Sequence, residues 1–115
     1  MQPVCVDEKT LFLSMAKIYF KELNSNFSMG AEFADNFLES SLRNENSFLD
    51  FILLNSSKIG FVRYSIEKHF YRNKLIGKID DIFVDKNSRN VGVARAVATK
   101  IQDFFKGKGV EKVLK

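Results

Sequence analysis

The feature that most constrains this chain is a switch of hydrophobic period on either side of one short polar stretch. Residues 75–85 are rich in β-branched and aromatic side chains, with Ile79, Ile82, Phe83 and Val84 apolar, and predict a strand. After the polar loop Lys86 to Val91, the residues Val93, Ala94, Val97, Ala98, Ile101, Phe104 and Phe105 recur on one face of an amphipathic helix. Gly107 and Gly109 end that helix, and Val110 to Leu114 begins another strand. A strand, a helix and a strand in this order predict a right-handed crossover between two parallel strands.

Upstream, residues 3–6 predict a short strand. Leu11, Phe12, Met15, Ala16, Tyr19 and Leu23 predict a helix capped by Asp7 or Thr10. Residues 24–30 break the pattern. Phe33, Ala34, Phe37, Leu38 and Leu42 then predict a second helix, capped by Ser28 and ending near residue 44. Phe48 to Leu54 and Ile59 to Tyr71 predict a hairpin through the turn Asn55-Ser56-Ser57. Arg72-Asn73-Lys74 turns the chain into the strand at 75–85, so these three strands form an antiparallel meander. A length of 115 residues accommodates one domain, 1–115. The expected fold class is α+β with a mixed sheet, in the order (β)ααβββαβ.

Composition narrows the chemistry. The single Cys cannot form an intrachain disulfide, and with a single His it cannot build a Cys/His zinc site, so no metal is expected. No apolar run approaches the roughly 18–20 residues that span a bilayer, so no membrane partner is expected. Asp7 and Glu8 stand where a signal peptide would be basic, which favours a reduced, cytoplasmic setting. Residues 1–57 hold four basic and eight acidic side chains, a net of −4, and residues 58–115 hold fourteen and six, a net of +8. The basic half suits a polyanion. No helix-turn-helix, basic helix or aromatic strand platform accompanies it, so a nucleotide-bearing cofactor is favoured over nucleic acid.

The chemistry concentrates in Arg89-Asn90-Val91-Gly92-Val93-Ala94, which joins the strand ending at Asp85 to the helix. Successive backbone N–H groups and the helix dipole make such a junction a phosphate cradle. Gly92 permits close backbone approach. Ala94 keeps the first turn low, and Arg89 and Arg95 add charge and donors. The spacing is neither a P-loop, which needs Gly-Lys-Ser/Thr, nor a dinucleotide fingerprint.

The stretch Ile79-Asp80-Asp81-Ile82-Phe83-Val84-Asp85 with Ser88-Arg89-Asn90-Val91-Gly92-Val93-Ala94 resembles the acetyl-CoA-binding motif of the Gcn5-related N-acetyltransferases, the GNAT family. The motif is Arg/Gln-x-x-Gly-x-Gly/Ala at the start of a helix. The likeness is specific over 75–115 and topological before that. It implies a GNAT-like acyl-CoA N-acyltransferase fold. It implies that the backbone of Ile82, Phe83 and Val84 pairs with the pantetheine arm of acetyl-CoA. It also implies that Asn90, Val91, Gly92, Val93, Ala94 and Arg95 hold the pyrophosphate, with Arg89 as the motif's first residue. Asn90 stands where the family often has Gly, and Asn tolerates the left-handed region better than most residues. The family's fold continues past the fifth strand with a fourth helix and two strands, which wall the other side of the cleft and often supply a Tyr as general acid. This chain therefore reads as C-terminally shortened, with an open sheet edge through which a homodimer is expected.

The family's reaction is direct attack of a neutral amine on the thioester carbonyl, through a tetrahedral oxyanion, with thiolate leaving. Asp80 and Asp81 are the catalytic candidates, binding a cationic amine and accepting its proton directly or through water. Strand alternation predicts that they point to opposite faces. A backbone N–H near Phe83 or Val84 would polarise the carbonyl. Phe27 and Phe61 are candidates for lining the acceptor site. Tyr64 reads as packing, His69 as a surface residue and Cys5 as unactivated. The acceptor is a small-molecule or peptide amine. The alternative function is a non-catalytic or degenerate module of the same fold that binds CoA or a partner without turnover.

Overall fold

The computed structural model describes residues 1–43, 46–69 and 74–114. The predicted ends of the third strand at Tyr71 and of the second helix at residue 44, and the turn at Arg72-Asn73, fall outside the described residues. Strand β1 (Gln2–Pro3) leads through a 3₁₀ turn (Val6–Glu8) into helix α1 (Lys9–Leu23), followed by helix α2 (Ala31–Arg43). Strands β2 (Ser47–Leu54), β3 (Ser57–His69) and β4 (Lys74–Val84) come next, then a 3₁₀ turn (Lys86–Val91), helix α3 (Val93–Gly107) and strand β5 (Lys112–Leu114). The five strands form one sheet in the order β1-β2-β3-β4-β5, antiparallel except for the parallel pair β4–β5. This is the expected α+β class with a mixed sheet.

Local boundaries differ from the sequence reading for simple reasons. The strand expected at 3–6 is shorter and starts earlier. Val4 only donates its N–H to the Leu49 carbonyl, at 3.0 Å, before the chain curls into the 3₁₀ turn. Neither Asp7 nor Thr10 caps α1: Asp7 lies within that turn, and Glu8 occupies the cap position. At α2 the Ala34 N–H bonds the Gly30 carbonyl, which places the helix start after Gly30 and leaves Ser28 outside it. The stretch at 86–91, expected as a loop, is a 3₁₀ turn.

The sheet separates two apolar layers. On one face α1 and α2 cover Leu49, Phe51, Phe61 and Phe83, with Phe12, Met15 and Ala16 inserted from α1. On the other, Val93, Val97, Ile101 and Phe105 of α3 cover Ile52, Val62, Tyr64 and Val84. Phe61 is fully buried between Phe12 and Phe83, so it is core and does not line an acceptor site. Tyr64 is likewise buried, and its hydroxyl donates to the Asp50 carboxylate at 2.6 Å, which satisfies both polar groups inside the α3 layer. Among the described residues no helix is long and apolar enough to cross a membrane.

Close backbone approach between β3 and β4 depends on Gly60. A Cβ at that position would run into the Phe83 carbonyl, an atom of the backbone that cannot swing away. Gly60→Ala should therefore lower the unfolding free energy by about 2 kcal/mol or more, as overpacking does. Gly107→Ala, in open space at the end of α3, should leave stability equal or slightly higher. Urea midpoints of the two variants against the parent check this; a Gly60→Ala midpoint equal to the parent's would refute the packing argument.

Candidate active site

The site is built on β4, and one extra residue in that strand decides its geometry. Arg63 of β3 pairs with Asp81, but the next residue, Tyr64, pairs with Ile79. Asp80 is the unpaired residue of a β-bulge. The bulge overturns the expectation that Asp80 and Asp81 face opposite sides. Both carboxylates meet side chains two residues apart on β3, which share a face: Asp81 takes Arg63, and Asp80 accepts from the Ser65 hydroxyl at 2.8 Å. Ile79 and Ile82, on either side of the pair, both turn toward α3.

The two carboxylates differ in what holds them. Asp81 Oδ1 accepts from the Tyr19 hydroxyl at 2.8 Å, and its Oδ2 accepts from Arg63 Nε at 2.7 Å. Its side chain is only 15% exposed. Arg63 in turn lies over the Phe37 ring of α2, 4.9 Å from its centroid. Burial, reinforced by the bond to Asp81, pushes the Tyr19 phenol well above its ordinary range, so the phenol stays protonated and donates. Asp80 is exposed and has a hydroxyl for a neighbour. Sequence reasoning missed Tyr19 and Arg63. Tyr19 carries only the periodic signature of a helix face, and Arg63 only that of a strand charge.

The cradle lies where β4 gives way to α3. Gly92 caps α3 in the left-handed region, with φ +74° and no side-chain cap. Its α-carbon faces open space, with nothing within 4 Å of an added Cβ. Ala96 makes the bond back to the Gly92 carbonyl. The amides of Val93, Ala94 and Arg95 therefore precede the helix ladder, which is the arrangement an anion requires. Val93 turns its side chain into the core, while Ala94 and Arg95 are exposed. Asn90 and Val91 close the 3₁₀ turn with their backbone; their side chains lie outside the described ones. The Arg89 side chain is engaged by other protein groups. Its Nε donates to the Val84 carbonyl at 2.7 Å and its Nη2 to both oxygens of Glu22, at 2.6 and 2.8 Å.

Between cradle and bulge runs an edge of β4. Strand β5 pairs only with Ile76, Gly77 and Lys78, so among the described residues no strand covers Ile79–Val84 on that side. The Asp85 N–H donates to the Ile59 carbonyl of β3. Alternation then turns the Phe83 N–H toward β3 and those of Ile82 and Val84 to the open edge. An apolar cleft of about 260 Å³ lined by Ile79, Ile82, Ala94 and Ala98 lies against this edge. Uncapped helix amides, an open Gly92, two edge N–H groups and an apolar trough fit a phosphate joined to an amide-bearing arm, the chemistry of a CoA thioester. No cluster of three or more His, Cys, Asp or Glu suited to a metal occurs among the described residues.

Comparison with known proteins bears on the family and the fold. The model of the acetyltransferase (GNAT) family matches residues 12–115. No curated protein matches the sequence. Among solved structures, a protein of the mobile metagenome of Cole Harbour Salt Marsh, an integron cassette protein, superposes with a TM-score of 0.84 at 17% identity, over 98% of this chain and 74% of that one. An aminoglycoside acetyltransferase from an uncultured soil metagenomic sample, solved with sisomicin, gives a TM-score of 0.75 at 22% identity, over 98% and 73%. A ribosomal-protein-alanine N-acetyltransferase from Brucella melitensis biovar Abortus 2308 gives 0.76 at 17%, over 96% and 74%. At these identities the likeness to solved structures shows the fold alone.

Protonated phenols have a measurable consequence. The pKa values of Tyr19 and Tyr64 are both raised by burial and by the carboxylates they donate to. The unfolded chain would release these protons near pH 10. Their contribution to stability is therefore complete below about pH 10 and is lost as pH rises beyond it. In an ultraviolet phenolate titration the folded chain should lag the urea-unfolded chain, and Tyr19→Phe should remove part of the lag. Coincident titrations would contradict the buried Tyr19–Asp81 bond.

Proposed function

The chain belongs to the GNAT acetyltransferase family, and from that premise we propose that it transfers an acetyl group from acetyl-CoA to a primary amine by direct attack of the amine. The observation that carries this reading is the uncovered β4 edge, Ile79–Val84, set beside the uncapped start of α3. The amides of Val93, Ala94 and Arg95, with the turn Asn90–Gly92, would hold the pyrophosphate, and the N–H groups of Ile82 and Val84 the pantetheine arm. Acetyl-CoA supplies an acyl group already activated as a thioester.

The chain's own residues divide the remaining work. Of the two edge donors, the Ile82 N–H, farther from the cradle and two residues from Asp80, is the one suited to charge that develops on a carbonyl oxygen at the acyl end of the arm. Asp80, exposed at the bulge, attracts a cationic amine and accepts its proton, directly or through water. Asp81 has both oxygens committed to Tyr19 and Arg63, and serves as a positioning residue that holds the bulge. The acidic first half of the chain favours a cationic acceptor. A cytoplasmic setting, where acetyl-CoA is available, belongs to the same reading.

Acetyl-CoA at a hundred times its Kd should stabilise the fold by about 2.7 kcal/mol, a rise in Tm on the order of 10 °C. Gly92→Asp, which puts a carboxylate and a strained φ at the cradle, should abolish the rise. Acetyl transfer is then read as thiol release with spermidine, sisomicin and an alanine-terminated peptide as trial amines. Asp80→Asn should lower the rate about a hundredfold. Binding without transfer to any amine would favour the non-catalytic module, and no thermal shift in the parent would refute the reading.

A further inference from the structure

We propose that Arg89 and Glu22 form a brace that positions α1 against the end of β4, and that the Arg89 side chain is not a phosphate ligand. The acceptor part of this inference rests on the function proposed above; the brace itself does not. The Arg89 guanidinium has three anchors. Nε donates to the Val84 carbonyl at 2.7 Å, Nη2 donates to both Glu22 oxygens at 2.6 and 2.8 Å, and Cζ lies 5.8 Å from the Phe83 ring centroid. Phe83 belongs to the layer under α1, whereas Val93, at the start of α3, belongs to the layer on the other face. The guanidinium is thus held toward α1, with Nε and Nη2 committed to protein groups.

The brace acts on the catalytic side because of helical spacing. Glu22 is three residues after Tyr19, so the two share a face of α1. Tyr19 holds Asp81 at the bulge, and Glu22 holds Arg89 just past the strand, so α1 is fastened to β4 at two points. The helix ends one residue later, at Leu23. Residues 24–30 that follow carry Phe27, which packs on Phe20 and Phe33 at 5.4 and 5.2 Å between centroids. Loosening the brace would free the end of α1 and this segment, while the start of α3 kept its own ladder. The expected signature is a weakened amine site with an intact acetyl-CoA site.

The parent, Glu22→Gln, Arg89→Gln and the double variant are compared by amide hydrogen exchange without ligand, by calorimetric titration with acetyl-CoA, and by kinetics with whichever trial amine is acetylated. Each single variant should speed exchange in residues 24–30 about two- to fivefold, as suits an exposed ion pair. The double variant should add nothing beyond Arg89→Gln, in which the Arg89–Glu22 interaction is already broken. Acetyl-CoA Kd should stay within about threefold, while the amine KM rises several-fold at nearly constant kcat. Glu22→Asp, which keeps the charge, should recover part of the effect. Unchanged exchange in residues 24–30 would overturn the brace. So would a tenfold or greater loss of acetyl-CoA affinity in Arg89→Gln with tighter binding in Glu22→Gln, since Glu22 would then be competing with phosphate for Arg89. If the parent binds no acetyl-CoA, the functional reading fails, and the exchange arm alone still decides the brace.

Discussion

A single unpaired residue, Asp80, is the constraint on which the site depends. Strands β3 and β4 form the longest antiparallel ladder of the sheet, and their pairing slips by one residue between Arg63 and Tyr64. Without the slip, a strict period of two would send one carboxylate into the layer under α1 and the other into the apolar trough under α3. With it, Ile79 and Ile82 both face α3 and both carboxylates stay on the other side. The apolar cleft and the acidic pair are thus two consequences of one insertion. A bulge also bends its strand, and β5 pairs with β4 only before that point.

The aromatic content serves this arrangement rather than chemistry directly. The chain has twelve Phe and no Trp. Phe12, Phe51, Phe61 and Phe105 are fully buried, and Phe12, Phe61 and Phe83 form a contiguous edge-to-face and stacked set beneath α1. Rigid rings in that layer fix the helix that presents Tyr19, whose own ring lies 5.6 Å from Phe61 and 6.4 Å from Phe83. A hydroxyl seated among such rings has few ways to move. Its carboxylate partner is neutralised by Arg63 at the same place, so the partly buried charge is compensated as well as hydrogen-bonded.

Most of the fold was legible in the sequence, and the site only in part. The switch of period around residues 85–92 and the pair of glycines at the end of the last helix were enough to place the crossover, because those signals are local. Gly92 as the helix start was legible for the same reason. The bulge was not. Asp80-Asp81 reads as ordinary alternation, and the slip exists only in the pairing with β3. Tyr19, Arg63 and Glu22 were invisible as site residues because their partners lie far along the chain: Tyr19 and Asp81 are 62 positions apart, and Glu22 and Arg89 are 67. Arg89 was legible as a motif residue, but the direction of its side chain was not. Charge and spacing point to phosphate, and only the packed position of α1 supplies the competing carboxylate.

The uncovered β4 edge raises a question of selectivity, because unpaired strand groups invite any extended chain. Its two ends limit what can pair there. At one end the bulge bends the strand at Asp80. At the other, Arg89 Nε takes the Val84 carbonyl, removing an acceptor that an added strand would use. Between them only the edge groups around Ile82 and the Val84 N–H remain. That is shorter than the five or six residues of an ordinary strand, yet long enough for a linear arm carrying one or two amides. The apolar trough under Ile79 and Ile82 favours a flexible aliphatic linker over a peptide with bulky side chains. On this view Arg89 excludes a competing chain rather than binding the cofactor, by ending the edge where a β-strand would otherwise continue.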